Sequence, residues 1–446
     1  MSEKVIVIGS GPGGYKSAVH AAKRGLDVKL IEKSDDIGGV CTNHGCIPSK
    51  ALLSISETID DIQNSRRKGI SSSIDDIDFK KAQMVKNRAV QTSQKGIISQ
   101  LEENEIEIIK GEARVKDNST VEVDGEEHEA DHIIIATGSE PIVLPGLEVD
   151  EKNILTSRGI LKLDEVPDDI LIIGGGYIGI ELAFVLSSFG SKVTIVELMD
   201  NILPNMDQDL AAEIESVLKR KRIKIIKGSK VSEVEGDSPF EVKIEGKENK
   251  TIKAKKILCA VGRKPTPPEI ELDIIGSHNE IITNDYMETP VENVYAVGDV
   301  TGKMMLAHAA YKHAEIAVKK MVGEKTPKLS QYNVPAGVYT HPEAASVGLT
   351  EEEAREEYGD INIGKYPISA SGRGYSTGNR TGVAKVIAHD DKIVGMHLVC
   401  PGATDIIMEG TVAMEGNIGV NKLSDIIHPH PTYSEALKEA AKKALS

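Results

Sequence analysis

With 446 residues, 40 % of them hydrophobic and 27 % charged, the chain has the length for two or three domains and the balance of a soluble globular protein, which excludes a disordered or fibrous one. Asp and Glu (69) outnumber Lys and Arg (53), and the formal charge of −16 sets the surface against nucleic acid and anionic lipid. No apolar run approaches the ~20 residues of a membrane span, no targeting leader precedes the first strand, and the four cysteines are unlike a secreted disulfide framework, so a cytoplasmic protein with at most a catalytic disulfide is expected.

Val5-Ile6-Val7-Ile8 reads as a buried strand, Gly9-Ser10-Gly11-Pro12-Gly13-Gly14 as a glycine turn, and Tyr15 to Arg24 as a helix. A second strand from Asp27 to Ile31 ends at Glu32 and completes a βαβ unit. Two thiols follow in the segment from Gly38 to Lys50. A helix with apolar Ala51, Leu52, Leu53, Ile55, Ile59 and Ile62 comes next, then a polar stretch at Ser71-Ser72-Ser73 and a helical region around 79–103. Short strands, including Ile133-Ile134-Ile135, lead to a second copy of the first unit roughly 165 residues on. There Ile170-Leu171-Ile172-Ile173 runs into Gly174-Gly175-Gly176-Tyr177-Ile178-Gly179, a helix to about Phe189, and a strand from Lys192 to Val196 ending at Glu197. Beyond about residue 330 the texture turns to Pro, Gly and strands such as Gly382 to Ile387, with a last helix from Ser434 to Leu445.

In each copy the first glycine permits the tight turn, the second lets backbone approach a pyrophosphate, and the third lets helix and strand pack closely. The helix N-terminus offers unpaired N–H groups to phosphate. Glu32 and Glu197 stand where a carboxylate accepts hydrogen bonds from ribose hydroxyls. A 2′-phosphate would meet the negative charge of Glu197, and Leu198 to Asn201 bring no arginine to hold one, so NAD is favoured over NADP.

Cys41 and Cys46 sit just ahead of a helix. In a regular helix residues five apart lie roughly 8.7 Å from each other at Cα, and a disulfide tolerates at most about 7 Å. A bridge between them therefore requires irregular backbone, which Gly45 makes easier. A place near the helix N-terminus is expected to lower a thiol pKa. Two other readings stand beside a redox pair: buried inert thiols, and a metal held by Cys41, His44 and Cys46, though no companion pair at zinc-like spacing accompanies them.

Further motifs extend over nearly the whole chain: Ala136-Thr137-Gly138, Val261-Gly262-Arg263, Tyr295-Ala296-Val297-Gly298-Asp299, and His428-Pro429-His430-Pro431-Thr432-Tyr433-Ser434-Glu435. Together with Gly39 to Lys50, they resemble the dihydrolipoamide dehydrogenases of the class I pyridine nucleotide–disulfide oxidoreductase family. The resemblance implies an α/β fold with two Rossmann-like dinucleotide-binding domains, for FAD and NAD, and a C-terminal α+β dimerisation domain. It places the first part of the FAD domain at 1–147, the NAD domain at 148–264, a central FAD-binding part at 265–330 and the interface domain of a homodimer at 331–446.

It also implies roles. Cys46 resembles the thiol against the flavin, Cys41 the one that exchanges with substrate, and Lys50 the lysine beside the flavin's reactive edge, with Glu181 its ion-pair partner. His430 resembles a base supplied by the partner subunit, and Glu435 the carboxylate that orients it. The FAD contacts implied are Gly9, Gly11, Gly14, Glu32, Lys50, Ala113, Thr137, Gly138, Asp299, Leu306 and Ala307. Those for NAD are Gly174, Gly176, Tyr177, Ile178, Gly179, Glu197, Val231, Ala260 and Gly262. No metal is implied.

The expected reaction oxidises dihydrolipoamide through a Cys41–Cys46 disulfide and FAD to reduce NAD+. Thr42 and His44 make the surface between the thiols more polar than is usual in the family, which keeps an NADH-dependent reductase of another small disulfide as the alternative. From a different class, the chain would serve mainly as a docking subunit of a 2-oxoacid dehydrogenase or glycine cleavage complex. Cys259 and Cys400 read as small core residues.

Overall fold

A computed structural model describes residues 2–445. The chain forms two compact units, one of Met1–Leu52, Lys80–Ile142 and Gly262–Leu329, the other of Leu53–Phe79, Val143–Val261 and Ser330–Ser446.

In the first unit five parallel strands lie in the order Val294–Ala296, His132–Ile135, Lys4–Ile8, Asp27–Glu32, Glu107–Lys110. The first strand in the chain is central, and the order reverses on either side of it, which opens a crevice at the carboxyl ends of the strands. Its side chains alternate between two cores. Val5 and Val7 pack with Tyr15, Ala18, Leu101 and Ile316 of the helices, while Ile6 and Ile8 pack with Val115 and Val121 of a four-stranded sheet. Both faces are covered, so the strand is an unbroken apolar run rather than an alternating one. The helix predicted from Tyr15 begins at Pro12, because proline's missing N–H costs nothing at the first helical position. Gly13 and Gly14 thus belong to the helix, and a Cβ on Gly14 would lie 1.7 Å from the Gly9 carbonyl oxygen. The helix predicted around 79–103 runs Phe79–Glu103.

The second unit repeats the design with parallel strands in the order Lys224–Ile226, Lys192–Val196, Asp169–Ile173, Lys256–Cys259, Ile154–Leu155. A Cβ on Gly179 would fall 2.1 Å from the Gly174 oxygen, so the third glycine has the same steric reason in both copies. The unit also holds an antiparallel sheet ordered Ala336–Val338, Glu343–Gly348, Lys392–Cys400, Val383–His389, Asn362–Pro367. The last helix, Glu435–Ala444, buries Ala436, Leu437, Ala440, Ala441 and Ala444 with Val386 and Leu398 of that sheet in one core. The two Rossmann-like sheets and this α+β region make up the expected fold class. Among the described residues no helix is long and apolar enough to cross a membrane.

Candidate active site

Parallel pairing in the first unit carries three separate motifs to one edge of the sheet. Gly9 follows Lys4–Ile8, Ala136-Thr137-Gly138 follows His132–Ile135, and Val297-Gly298-Asp299 follows Val294–Ala296. Gly9 has φ +99°, and a Cβ there would meet the Ala136 oxygen at 2.5 Å. Glu32 closes the turn: one carboxylate oxygen accepts from the Ser10 N–H at 2.8 Å and the Ser10 hydroxyl at 2.6 Å, the other from the Ser34 N–H at 2.7 Å.

Asp299 lies in the short helix Gly298–Thr301 and accepts a 2.5 Å hydrogen bond from the Ser139 hydroxyl. Arg263 in turn donates to the Ser139 hydroxyl at 2.8 Å and to the Ser139 carbonyl at 2.6 Å. Burial pushes the Asp299 carboxyl up, against the pull of Ser139 and Arg263. The Thr137 hydroxyl is buried without a hydrogen-bond partner. A glycine cradle at a helix N-terminus, a desolvated carboxylate and an orphaned hydroxyl on one sheet edge are what the polyol and diphosphate of FAD would satisfy. Leu306 caps the helix Ala307–Met321, whereas Ala113 buries its side chain in a strand and has only backbone to offer a cofactor.

The thiols lie on two helices rather than ahead of one. Cys41 is within Gly39–His44, Cys46 opens Cys46–Asn64, and the backbone breaks between them at Gly45, whose φ and ψ are −144° and −111°. No disulfide joins the two in this structure. The expected lowering of pKa is reversed for Cys41: its hydrogen bond with Cys46 and then burial push it far above the ordinary thiol range, and Lys50 offsets this only in part. Two adjoining thiols out of water cannot both ionise cheaply. Lys50 follows Cys46 by four residues in the same helix and so shares its face.

In the second unit Gly174 follows Asp169–Ile173 with φ +108°, and Glu197 accepts from the Gly175 N–H at 2.6 Å and the Met199 N–H at 2.8 Å. The two acids occupy equivalent places, each tied to the residue after the first glycine. Tyr177 and Ile178 open the helix Tyr177–Ser188, and burial pushes the Tyr177 hydroxyl up to about 12. Ala260 lies against Gly174, Gly262 takes φ +128°, and Val231 sits half-buried in the strand Ser229–Glu235. Glu181 is buried and accepts from the Tyr339 N–H at 3.1 Å. The glycine turn with its acid suits an NAD diphosphate and ribose.

His430 is 74 % exposed, and its Nδ1 lies 2.9 Å from Glu435, whose other oxygen accepts from the Thr432 N–H at 2.8 Å. Burial would raise the Glu435 carboxyl, but the Thr432 N–H and His430 hold it below its usual range. The ring is thus oriented through one nitrogen while the rest faces solvent.

Sequence reasoning missed Ser139, His313 and Tyr311. Buried His313 accepts the Gly298 N–H at 3.2 Å, and burial, with Lys303, pulls it down to about 4, so it serves this turn as a neutral acceptor. The Tyr311 hydroxyl accepts from Tyr15 at 3.3 Å, and burial, Tyr15 and the two thiols all push it up. None of the three carries a local motif.

A family model described as "Pyridine nucleotide-disulphide oxidoreductase" matches residues 3–314, and that family's dimerisation domain matches 334–441. The dihydrolipoyl dehydrogenase of Bacillus subtilis is 38 % identical over 460 residues, covering 98 % of this chain and 97 % of the relative. LpdA of Mycobacterium tuberculosis superposes with a TM-score of 0.91 at 25 % identity over 100 % of both chains. The HOCl-induced flavoprotein disulfide reductase RclA of Escherichia coli gives 0.86 at 30 % identity over 99 % of both. With two dinucleotide turns, a paired thiol segment and matches over almost its full length, the chain belongs to the pyridine nucleotide–disulphide oxidoreductases, enzymes that use FAD and NAD.

Proposed function

We propose that this enzyme oxidises dihydrolipoamide and passes the electron pair to NAD+. The observation that carries this reading is the Cys41/Cys46 pair, held side by side across the break at Gly45 in the unit with the FAD-type turn. FAD, when bound, supplies the two-electron relay between the thiol pair and the nicotinamide. Cys41 exchanges with the substrate dithiol, and Cys46, on the face it shares with Lys50, stands on the flavin side. His430 takes the proton that makes a neutral dithiol a competent nucleophile, and Glu435 stabilises the imidazolium. Over a cycle the dithiol loses two electrons and two protons, NAD+ takes a hydride, and one proton reaches solvent.

An exposed base suits a homodimer in which each chain's His430 serves the other chain's thiols. Exposed Met408, Val412 and Ile427 in the region of the dimerisation domain give such a dimer apolar surface to bury. A cytoplasmic setting suits a chain whose one expected disulfide is catalytic.

Two tests follow. Anaerobic NADH should produce a long-wavelength absorbance in the holoenzyme that is lost in Cys46→Ser; its survival there would remove Cys46 from the flavin side. NADH should exceed NADPH in kcat/KM by at least about 100-fold, since the Glu197 carboxylate faces any 2′-phosphate with like charge, a cost of several kcal/mol. Equal use of the two would overturn the role given to Glu197.

A further inference from the structure

His430, the proposed base, sits in a segment that secondary structure does not hold. Between the helices Val420–Asp425 and Glu435–Ala444 the chain is irregular, and among the described residues no backbone–backbone hydrogen bond involves Ile427 through Thr432. Such a segment is ordered only as far as its side chains tie it down.

Two side-chain hydrogen bonds reach from it to other elements. His428, two residues before the base, has a side chain 6 % exposed, although Ile427, Pro429 and Pro431 around it all lie at the surface. Its Nδ1 donates to the Ile426 carbonyl at 2.9 Å, and its Nε2 lies 2.6 Å from the Glu409 carboxylate of the helix Met408–Glu415. The ring is thus held at both nitrogens, where His430 is held at one. Tyr433, three residues after the base, is buried, and its hydroxyl shares a 2.7 Å hydrogen bond with the Thr377 hydroxyl at the end of the helix Gly372–Thr377.

The ties bracket the base, and prolines carry them to it. Pro429 and Pro431 stand on either side of His430. Each ring fixes φ near about −65°, so little backbone freedom is left between His428 and the imidazole that follows it. Gly372 lies against the His430 ring itself, where a Cβ would meet Cε1 at 3.0 Å.

We propose that His428 and Glu409, with Tyr433 and Thr377, are positioning residues for the base: the two ties hold the segment so that His430 meets the dithiol at hydrogen-bond distance. The inference rests on His430 being the base. The four residues act through the imidazole and not on the dithiol itself.

Misplacing a reacting group by about 1 Å costs on the order of 100-fold in rate. In the holoenzyme, His428→Ala and Glu409→Ala should therefore lower kcat for NAD+ reduction by dihydrolipoamide by about 10- to 100-fold with KM little changed, since the base acts in the transition state. Reduction of a one-electron dye by NADH should stay near the wild-type rate in both. Glu409→Gln, whose amide still bonds Nε2, should recover most of the rate, and Tyr433→Phe should show a smaller loss of the same kind. Sedimentation should find every variant dimeric, and hydrogen exchange should find the Thr432 amide, bonded to Glu435, less protected in His428→Ala. Unchanged dithiol oxidation in His428→Ala, an equal loss of dye reduction, a loss that follows dissociation of the dimer, or no recovery in Glu409→Gln overturns the proposal. Should His430→Ala itself oxidise dihydrolipoamide at the wild-type rate, the reading of the base falls instead, and protection of the Thr432 amide then decides by itself whether the ties hold the segment.

Discussion

In His430→Ala, NAD+ reduction by dihydrolipoamide is expected to fall by about 100- to 10,000-fold, the usual worth of a positioned general base. NADH-driven reduction of a one-electron dye should fall far less, because it needs no proton removed from a dithiol. The expectation comes from a geometry with one end fixed and one end open: Glu435 holds Nδ1 at 2.9 Å while the ring is 74 % exposed. Glu435→Gln should reproduce part of the loss, since an amide orients the ring but gives the imidazolium no countercharge. Stopped-flow measurement of the two half-reactions separates these effects, and equal losses in both would remove His430 from the proton path.

Lys385→Ala should destabilise the protein by about 3–5 kcal/mol, the cost of leaving buried charges without their partner. Lys385 is 2 % exposed in the strand Val383–His389, and its ammonium reaches Asp207 and Asp209 at 2.7 Å and Glu351 at 2.8 Å. Asp207 also caps the helix Gln208–Arg220 by accepting the Asp209 N–H, and it takes the Glu351 N–H at 3.0 Å. Removing the lysine strands the buried Asp207, while Asp209 keeps Lys365 at 2.8 Å and Glu351 keeps Arg355 at 3.0 Å.

The cluster also sets an acid limit. Burial would raise Glu351, but Lys385, Arg355 and Lys365 outweigh it and hold the carboxyl at about 2, below its ordinary 4.5. A depressed folded pKa means that this stabilisation is complete above about 4.5 and is lost as pH falls toward 2. The gap between wild type and Lys385→Ala should therefore be full at neutral pH and shrink through that window. Denaturation at several pH values checks both points, and a neutral-pH loss under about 1 kcal/mol would show that the carboxylates find other partners.

Much of the fold could be read from residues that are neighbours in the chain. A glycine turn between a buried strand and a helix is a local event, so Gly9 to Gly14 and Gly174 to Gly179 announce both dinucleotide units, and the same steric contact with the first glycine's carbonyl recurs in each. The thiol segment was half legible. Spacing demanded a break between Cys41 and Cys46, and one occurs at Gly45, but the upward push on the Cys41 thiol was not legible there, because a second thiol and desolvation are properties of the packed state.

What chain order alone determined, then, is each βαβ unit, the acid that ends it, and the need for irregular backbone between the thiols, all set by covalent reach and backbone sterics. Tertiary structure decided which distant groups meet. Ser139 finds Asp299, Lys385 finds Asp207, and His428 finds Glu409. Such pairings depend on strand order and burial, which fix charge and hydrogen bonding only once water has been excluded, and no spacing rule in a linear chain encodes them.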